Sequence, residues 1–220
     1  MYFLMKYLPM ILRGFVLTVQ VTFFGVLMGL ALGILLAIGD LYGGRVISTV
    51  IKLYVEFFRG SPLIVQLFIF YYSVPNLLGI LLDSFTVGLA VFALNSAAYQ
   101  KGYIKGAMES VFEDQMTAAL SLGLTRAQAI RHVVLPQALR IVIPAWSNEF
   151  CSLAKSTAAL LVIAVPELTS ALKAISSWTW RVLETYAFGA LIYLVWISAV
   201  MKVLDVIYNK VKIHEIEVTA

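Results

Sequence analysis

The sequence predicts an all-α integral membrane protein with about five transmembrane helices. The 220-residue chain is 61% hydrophobic and 13% charged, whereas soluble domains are about 45–50% apolar and about 25% charged. Its apolar residues are grouped in long runs, and one span needs roughly 20 of them. The single cysteine, Cys151, excludes a disulfide framework and a Cys-rich metal site. This composition also excludes a soluble globular enzyme.

The first predicted span is the apolar run over residues 14–38. Small residues recur in it every four positions, so they lie on one stripe of the helix and let a neighbouring helix approach closely. They are Gly25, Gly29, Gly33 and Ala37. The stripe therefore predicts a tight contact between this helix and another one.

The second span is predicted to begin at Ser61, as the N-cap before Pro62, and to end near Pro75. The apolar segment before it, residues 46–58, is either a helix of its own or the first half of a kinked helix. Both alternatives remain open at this point. The three further apolar runs predicted to span the membrane are residues 84–100, 141–165 and 185–201.

The distribution of basic residues predicts how the chain is oriented in a plasma (inner) membrane. Five spans place the termini on opposite sides, and cytoplasmic loops are the ones enriched in Lys and Arg. The 101–140 loop and the C-terminus are therefore predicted to be cytoplasmic, and the N-terminus outside. The cytoplasmic side would carry Arg45, Lys52, Lys101, Lys105, Arg126, Arg131, Arg140, Lys202, Lys210 and Lys212, and the outer side Lys6, Arg13, Lys173 and Arg181.

The first half of the 101–140 loop predicts a helix followed by a turn. Residues 111–122 favour a helix, and Gly123 stands where a left-handed C-terminal cap is needed. A loop of about forty residues is too small to fold alone. It is therefore predicted to pack against a partner protein or against the end of the helix bundle.

The second half of the loop predicts another helix. Thr125 and Gln128 have the spacing of a capping box for a helix over residues 126–134, which Pro136 is expected to end. This helix–turn–helix could be mistaken for a DNA-binding unit. Because it is tethered between two spans and has few basic groups, no nucleic-acid partner is expected.

Small and turn-forming residues of this loop follow the spacing Thr-Ala-Ala-x3-Gly-x9-Val-x-Leu-Pro. They are Thr117, Ala118, Ala119, Gly123, Val133, Leu135 and Pro136. The pattern resembles the EAA loop of ABC importer permeases, which usually reads Glu-Ala-Ala-x3-Gly-x9-Ile-x-Leu-Pro.

The resemblance extends to the permeases for polar amino acids of the histidine, glutamine and arginine type. It covers most of residues 50–170 in order. The segments that carry it are residues 56–63 with Gln66, Ala98-Tyr99, Lys105-Gly106, residues 135–140, Asn148-Glu149-Phe150, Lys155 and Glu167-Leu168.

The resemblance implies a single permease domain over residues 1–220 with ABC type I importer architecture and a cytoplasmic EAA coupling loop at residues 107–137. It implies work in a pair of like permeases, above two ATP-binding subunits and with an external solute-binding protein. In that family the EAA loop seats in a groove of the ATPase. The matching residues of this chain, from Thr117 to Pro136, inherit that coupling role.

No catalytic motif is present in the sequence. It contains no Gly-x4-Gly-Lys-Ser/Thr phosphate loop and no His-Glu-x-x-His zinc motif. The chain is therefore expected to be a transport subunit without a cofactor of its own. ATP and Mg²⁺ are expected on the partner ATPase.

The fourth span has a polar face, which is the predicted path of the solute. Polar groups inside a membrane helix normally face the bundle interior or a wet cavity, and such a face offers charges of both signs to a zwitterion. The alternative is that Glu149 and Lys155 lie near the headgroups or satisfy each other. The predicted path residues are Asn148, Glu149, Ser152, Lys155 and Ser156, with Gln66, Asn95 and Tyr99 from neighbouring spans.

Three positions depart from the family pattern, and each departure removes an acid. Thr117 replaces the Glu of the loop, Gly102 stands where Glu often follows Ala-Tyr, and Ser156 stands where Asp often follows Lys155. The loss at position 156 bears on the substrate. We therefore expect that this subunit alone does not favour arginine-like or lysine-like substrates, unless Glu149 or a non-identical partner supplies the carboxylate.

The leading interpretation is an ATP-driven importer subunit for a polar amino acid or a similar small zwitterion. Two other classes remain as alternatives. A secondary carrier or channel would often show paired broken helices, and only one break is visible, at residues 60–62. A membrane scaffold that only recruits a partner has no need of charges at membrane depth.

Overall fold

The computed structural model describes the backbone of residues 2–212 and the side chains of residues 5–111 and 115–212. Within this part of the chain all regular structure is helical. The α-helices are α1 (Tyr2–Tyr42), α2 (Gly44–Gly60), α3 (Leu63–Phe68), α4 (Val74–Leu78), α5 (Ser84–Ser121), α6 (Arg126–Ala129), α7 (Leu135–Ser156), α8 (Leu168–Thr179) and α9 (Val182–Val211).

The most extensive helix contact is between α1 and α5, and the small-residue stripe makes it. A Cβ added at Gly29 would lie 2.9 Å from the Cβ of Ser96, and one at Gly33 would lie 3.1 Å from the Cβ of Gln100. The two backbones therefore touch where only glycine leaves room. The predicted tight contact is confirmed, and it is made with α5.

The segment 46–58 is part of a helix of its own, α2, which meets the following helical run at a bend of 108°. Ser61 does not cap the next helix, so that prediction is wrong. Pro62 forces the residue before it into an extended conformation, and Ser61 has φ −107° and ψ 147°. Its hydroxyl donates to the Phe57 carbonyl of α2 at 2.6 Å. Pro62 itself is the N-cap of α3.

The helical run that begins with α3 continues beyond the predicted end at Pro75. A π-helical turn, Ile69–Ser73, leads into α4, in which Pro75 occupies the first turn. A proline is tolerated there because the first amide groups of a helix have no intrahelical partner. The run ends at Gly79, which adopts the left-handed conformation with φ 65°.

The third predicted span and the first loop helix are one continuous helix, α5. The two were expected to be separate, but no proline or cap interrupts the chain between residues 100 and 111. Asp83 caps α5, because its carboxylate accepts from the Thr86 amide at 3.0 Å and from the Thr86 hydroxyl at 2.6 Å. These hydrogen bonds hold the pKa of the Asp83 carboxyl below its usual value.

The turn of the 101–140 loop is as predicted, but its second helix does not end at Pro136. Gly123 has φ 84°, and Thr125 forms the capping box with Gln128. Helix α6 then passes through a π-helical turn, Ile130–Val134, directly into α7. Pro136 lies in the first turn of α7, after a wider turn that already departs from the α-helical hydrogen-bond pattern, so the helix continues.

The predicted fourth span, residues 141–165, contains a change of helix type. Helix α7 ends at Ser156, and a 3₁₀ segment, Thr157–Ile163, follows. Ala164, with φ 60°, ends this segment, and the chain bends by 56° before the next helix. Glu167 caps α8, a helix that the sequence patterns did not predict.

A buried ionic cluster joins α1, α2 and α5. The Asp40 side chain is 1% exposed, and its Oδ2 lies 2.6 Å from Lys101 Nζ and 2.9 Å from Lys105 Nζ. The Ser48 hydroxyl donates to Asp40 Oδ1 at 2.6 Å. The beginning of the 101–140 stretch is thus tied to the helix bundle, which is one of the two alternatives that the sequence left open.

Two of the described helices, Met5–Tyr42 and Val182–Val211, are long and apolar enough to cross a membrane, and up to four spans result if each bent pair counts as one. The sequence predicted about five transmembrane helices. Helix α5 is long enough but carries several polar side chains, which are buried in the bundle: Ser96, Gln100 and Lys101. The predicted cytoplasmic C-terminal residues 213–220 lie outside the described residues.

The α1–α5 contact predicts the effect of adding one methyl group at Gly29. Gly29→Ala puts a Cβ 2.9 Å from Ser96 Cβ and 3.0 Å from Gln100 Nε2, so we expect overpacking to lower the free energy of unfolding by about 1–3 kcal/mol. Thermal unfolding of the purified protein in detergent measures this. Gly106→Ala on α5 is the control, because among the described residues no atom beyond its own stretch of helix lies within 4 Å of a Cβ placed there. Equal unfolding midpoints for the two variants would contradict the contact.

Candidate functional site

A polar cavity of about 360 Å³ lies between the α2–α3 bend, α5 and α7. Its volume is in the range of small-molecule sites. Six of the predicted path residues line it: Asn95, Tyr99, Asn148, Glu149, Ser152 and Ser156. Ser61, Leu63, Tyr103 and Leu153 complete the lining.

Glu149 is the buried acid of this cavity. The residue is 5% exposed, and its Oε1 accepts a hydrogen bond from the Ser96 hydroxyl at 2.8 Å. Ser96 in turn accepts from Gln100 Nε2 at 2.9 Å. A buried carboxyl needs such partners, and α5 therefore positions it.

The polar face of α7 points to the cavity and the apolar face to the core. Asn148 and Ser152 are exposed in this chain, whereas Phe150, Leu153 and Ala154 are buried. This is the division of faces expected from the helical spacing.

Gln66 does not line the cavity but holds one of its walls. It is fully buried, and its Nε2 donates to the Phe58 carbonyl at 2.9 Å and to the Ser61 carbonyl at 3.0 Å. Asn95 Nδ2 donates to Gln66 Oε1 at 3.0 Å. These bonds fix the α2–α3 bend against α5.

Arg59 is a cation at the edge of the cavity that is not among the path residues predicted from the sequence. Lys155 is exposed and is not among the lining residues. The Arg59 guanidinium lies 5.0 Å from the centre of the Tyr99 ring, a cation–π distance, and interacts electrostatically with Glu149. One feature of the sequence could have identified Arg59 as a candidate. It is an arginine at the end of an apolar segment, directly before the break at residues 60–62.

The candidate coupling residues form one end of the helix bundle. Ala119 and Ala129 are buried in one core cluster that also contains Met108, and Val133 and Leu135 pack against this cluster. The other four candidate coupling residues are exposed: Thr117, Ala118, Gly123 and Pro136. Leu122, at the turn, is 81% exposed.

Helix α7 connects the candidate coupling residues with the residues of the polar cavity. Leu135 and Pro136 lie at its beginning, and Glu149 lies about four turns later, which is about 20 Å along the helix. Among the described side chains, no group of three His, Cys, Asp or Glu residues could hold a metal ion.

Comparison with known proteins shows the family of the chain. The family described as "Binding-protein-dependent transport system inner membrane component" matches residues 29–213. The chain belongs to this family. Its members named below are permeases, so this chain is a permease subunit of an ABC importer, and ATP is hydrolysed on a separate subunit. The predicted family and the predicted all-α membrane fold are confirmed.

Individual relatives match over nearly the whole chain. The probable amino-acid ABC transporter permease protein PatM of Vibrio harveyi is 33% identical over 193 residues, covering 87% of this chain and 86% of the relative. The glutamine transport system permease protein GlnP of Escherichia coli K12 is 32% identical over 189 residues, covering 86% of each chain.

Solved structures give the same result. A structure described as an amino acid ABC transporter with histidines superimposes with a TM-score of 0.85 at 34% identity, covering 94% of this chain and 97% of that chain. Membership of the family implies ATPase subunits and a permease partner in the inner membrane.

The cavity predicts a structural role for Ser96. In Ser96→Ala the buried Glu149 loses its 2.8 Å donor, so we expect a loss of about 1.5–3 kcal/mol in the free energy of unfolding. Thermal unfolding in detergent measures it. Ser110→Ala is the control, since the Ser110 hydroxyl donates only to a carbonyl of its own helix, that of Ala107. If Ser96→Ala unfolds at the control's midpoint, the bond to Glu149 contributes nothing.

Proposed function

We propose that this permease imports a polar amino acid through the cavity between the α2–α3 bend, α5 and α7. The single observation that carries the proposal is that one small cavity has groups of opposite charge beside it. Arg59 lies at one edge and Glu149 lies in the wall. A guanidinium binds a carboxylate and a carboxylate binds an ammonium group. The amino-acid permeases among the relatives support the same class of substrate.

The charges around the cavity favour a neutral or acidic substrate side chain over a basic one. Among the described residues, no carboxylate lies within salt-bridge distance of Arg59. A Cβ at Gly102 would lie 3.7 Å from the guanidinium, so the Glu that this family often has there would reach Arg59. Positions 102 and 156 hold Gly and Ser where the family often has Glu and Asp. Glu149 is therefore the acidic residue that lines the cavity.

The proposed assembly contains two permease chains, either two copies of this chain or this chain with a homologous one. Two ATP-binding subunits carry ATP and Mg²⁺, and an external solute-binding protein delivers the amino acid. The exposed small residues Thr117, Ala118 and Gly123 are proposed to seat against an ATPase subunit, because side chains of this size permit close approach. Closure of the ATPase pair would then switch the cavity between the two sides of the membrane.

ATP hydrolysis by the assembly in lipid, with candidate ATPase and binding protein added, tests the function. One polar, non-cationic amino acid is expected to stimulate hydrolysis and to be taken up into proteoliposomes. Gly123→Asp is expected to leave the protein inserted in the membrane but to uncouple uptake from ATP hydrolysis. The reason is that the substitution places a carboxylate in the proposed contact with the ATPase subunit. Gly79→Asp is the control, since Gly79 also has a positive φ and no described residue beyond its chain neighbours lies within 4 Å of a Cβ placed there.

The outcomes separate the parts of the proposal. Normal uptake by Gly123→Asp would refute the coupling role while leaving the substrate class intact. Stimulation by arginine or lysine in an assembly with two copies of this chain, undiminished by Glu149→Gln, would refute the proposed selectivity. No association with any ATPase subunit would refute the importer assembly itself.

The proposed orientation places the N-terminus outside and residues 101–140 in the cytoplasm, following the basic residues. In a Cys151→Ala background, a membrane-impermeant maleimide is expected to label Leu81→Cys on intact cells. Leu122→Cys is expected to react only after permeabilisation. Both leucines are exposed, at 101% and 81%, so exposure does not limit the reaction. The reverse labelling pattern would invert the orientation.

A further inference from the structure

A second cavity, of about 590 Å³, lies between the N-terminal part of α1 and the start of α8. It shares no lining residue with the cavity at Glu149. We propose that it binds an anionic phospholipid. Apolar side chains form much of its lining, among them Met10, Leu17 and Ala171, and two cations, Lys6 and Arg13, stand on its α1 side.

The order of these residues along α1 matches the order of groups in a lipid. Arg13 immediately precedes the apolar run of residues 14–38, so it lies at the boundary of the hydrocarbon core. Lys6 lies two helical turns further out, about 10 Å away and on the same face. Leu17 lies one turn further in. A phosphate held between Lys6 and Arg13 would lie at the level of Met10, and an acyl chain would run from there toward Leu17.

The two cations are available to an external anion. Among the described residues, no carboxylate lies within salt-bridge distance of either Lys6 or Arg13. The nearby acid Glu167 is fully buried, does not line the cavity, and accepts hydrogen bonds from the amides of Thr169 and Ser170 at 2.8 and 2.7 Å. The cavity therefore presents uncompensated positive charge beside an apolar wall, which complements an anionic lipid and not a zwitterionic one.

The wall of this cavity is formed by two packed helices, α1 and α8, and not by a loop. Ile11 of α1 packs in one core cluster with Leu168, Leu172 and Ile175 of α8. Behind Arg13, a Cβ at Gly14 would lie 2.9 Å from the Glu167 carbonyl oxygen, so the two backbones touch there. The proposal depends on insertion of the chain in a membrane and not on the identity of the transported solute.

Native mass spectrometry of the purified transporter, with dioleoyl phosphatidylglycerol and dioleoyl phosphatidylcholine as probes, tests the site. We expect tighter binding of phosphatidylglycerol, weakened about 30-fold in Lys6→Gln/Arg13→Gln because two cations near the phosphate are lost. Lys6→Arg/Arg13→Lys is expected to keep it. Lys202→Gln/Lys210→Gln changes the net charge equally near the far end of α9 and is expected to leave it unchanged.

Each other outcome overturns the proposal. Equal binding of the two lipids would exclude recognition of the charge, and an unchanged affinity in the Lys6/Arg13 double variant would place the lipid elsewhere. Displacement by water-soluble glycerophosphoglycerol would show a phosphate site without the acyl groove. If the double variant keeps phosphatidylglycerol but loses stimulation by the solute-binding protein, the surface binds a protein instead.

Discussion

The arrangement of this permease depends on the direct contact between the backbones of α1 and α5. Gly29 and Gly33 bring α1 so near that a methyl group at either position would meet Ser96 or Gln100. The same approach lets Gln100 donate to the Val26 carbonyl of α1 at 2.9 Å. Since lipid tails offer no hydrophobic force between helices, close packing of small residues and hydrogen bonds of this kind hold membrane helices together. The contact thereby positions Ser96, the donor to the buried acid of the cavity.

The ionisable groups of the helix bundle divide into buried acids with partners in the chain and exposed cations that are available to a ligand. Asp40 is neutralised by two lysines and Glu167 caps α8, so each has a structural role that explains why a buried carboxyl is tolerated. Arg59, Lys6 and Arg13 are exposed cations beside cavities. Charges of the first kind hold helices together, and charges of the second kind are the ones that can meet a ligand.

A continuous helical run joins the proposed ATPase seat to the proposed solute cavity. It begins at the capped Thr125 turn, passes through the π-helical turn Ile130–Val134, and carries Glu149 four turns beyond Pro136. A helix transmits displacement along its axis because its hydrogen bonds resist stretching, whereas a flexible loop would absorb it. The wider π turn is the place in this run where the regular hydrogen-bond pattern changes.

The sequence by itself determined the membrane class, the glycine stripe, the capped turn at Gly123 and Thr125 and most residues of the polar cavity, because each rests on composition or on spacing within one helix. Only the tertiary structure decided which groups meet between helices. It placed Arg59 against the Tyr99 ring at the edge of the cavity and paired Asp40 with Lys101. It also placed Gln66 behind the cavity wall, and it joined α6 to α7 through the π-helical turn Ile130–Val134, with Pro136 inside the first turn of α7. Periodicity specifies the face of a helix that a residue occupies, but the partner of that face depends on how distant segments pack.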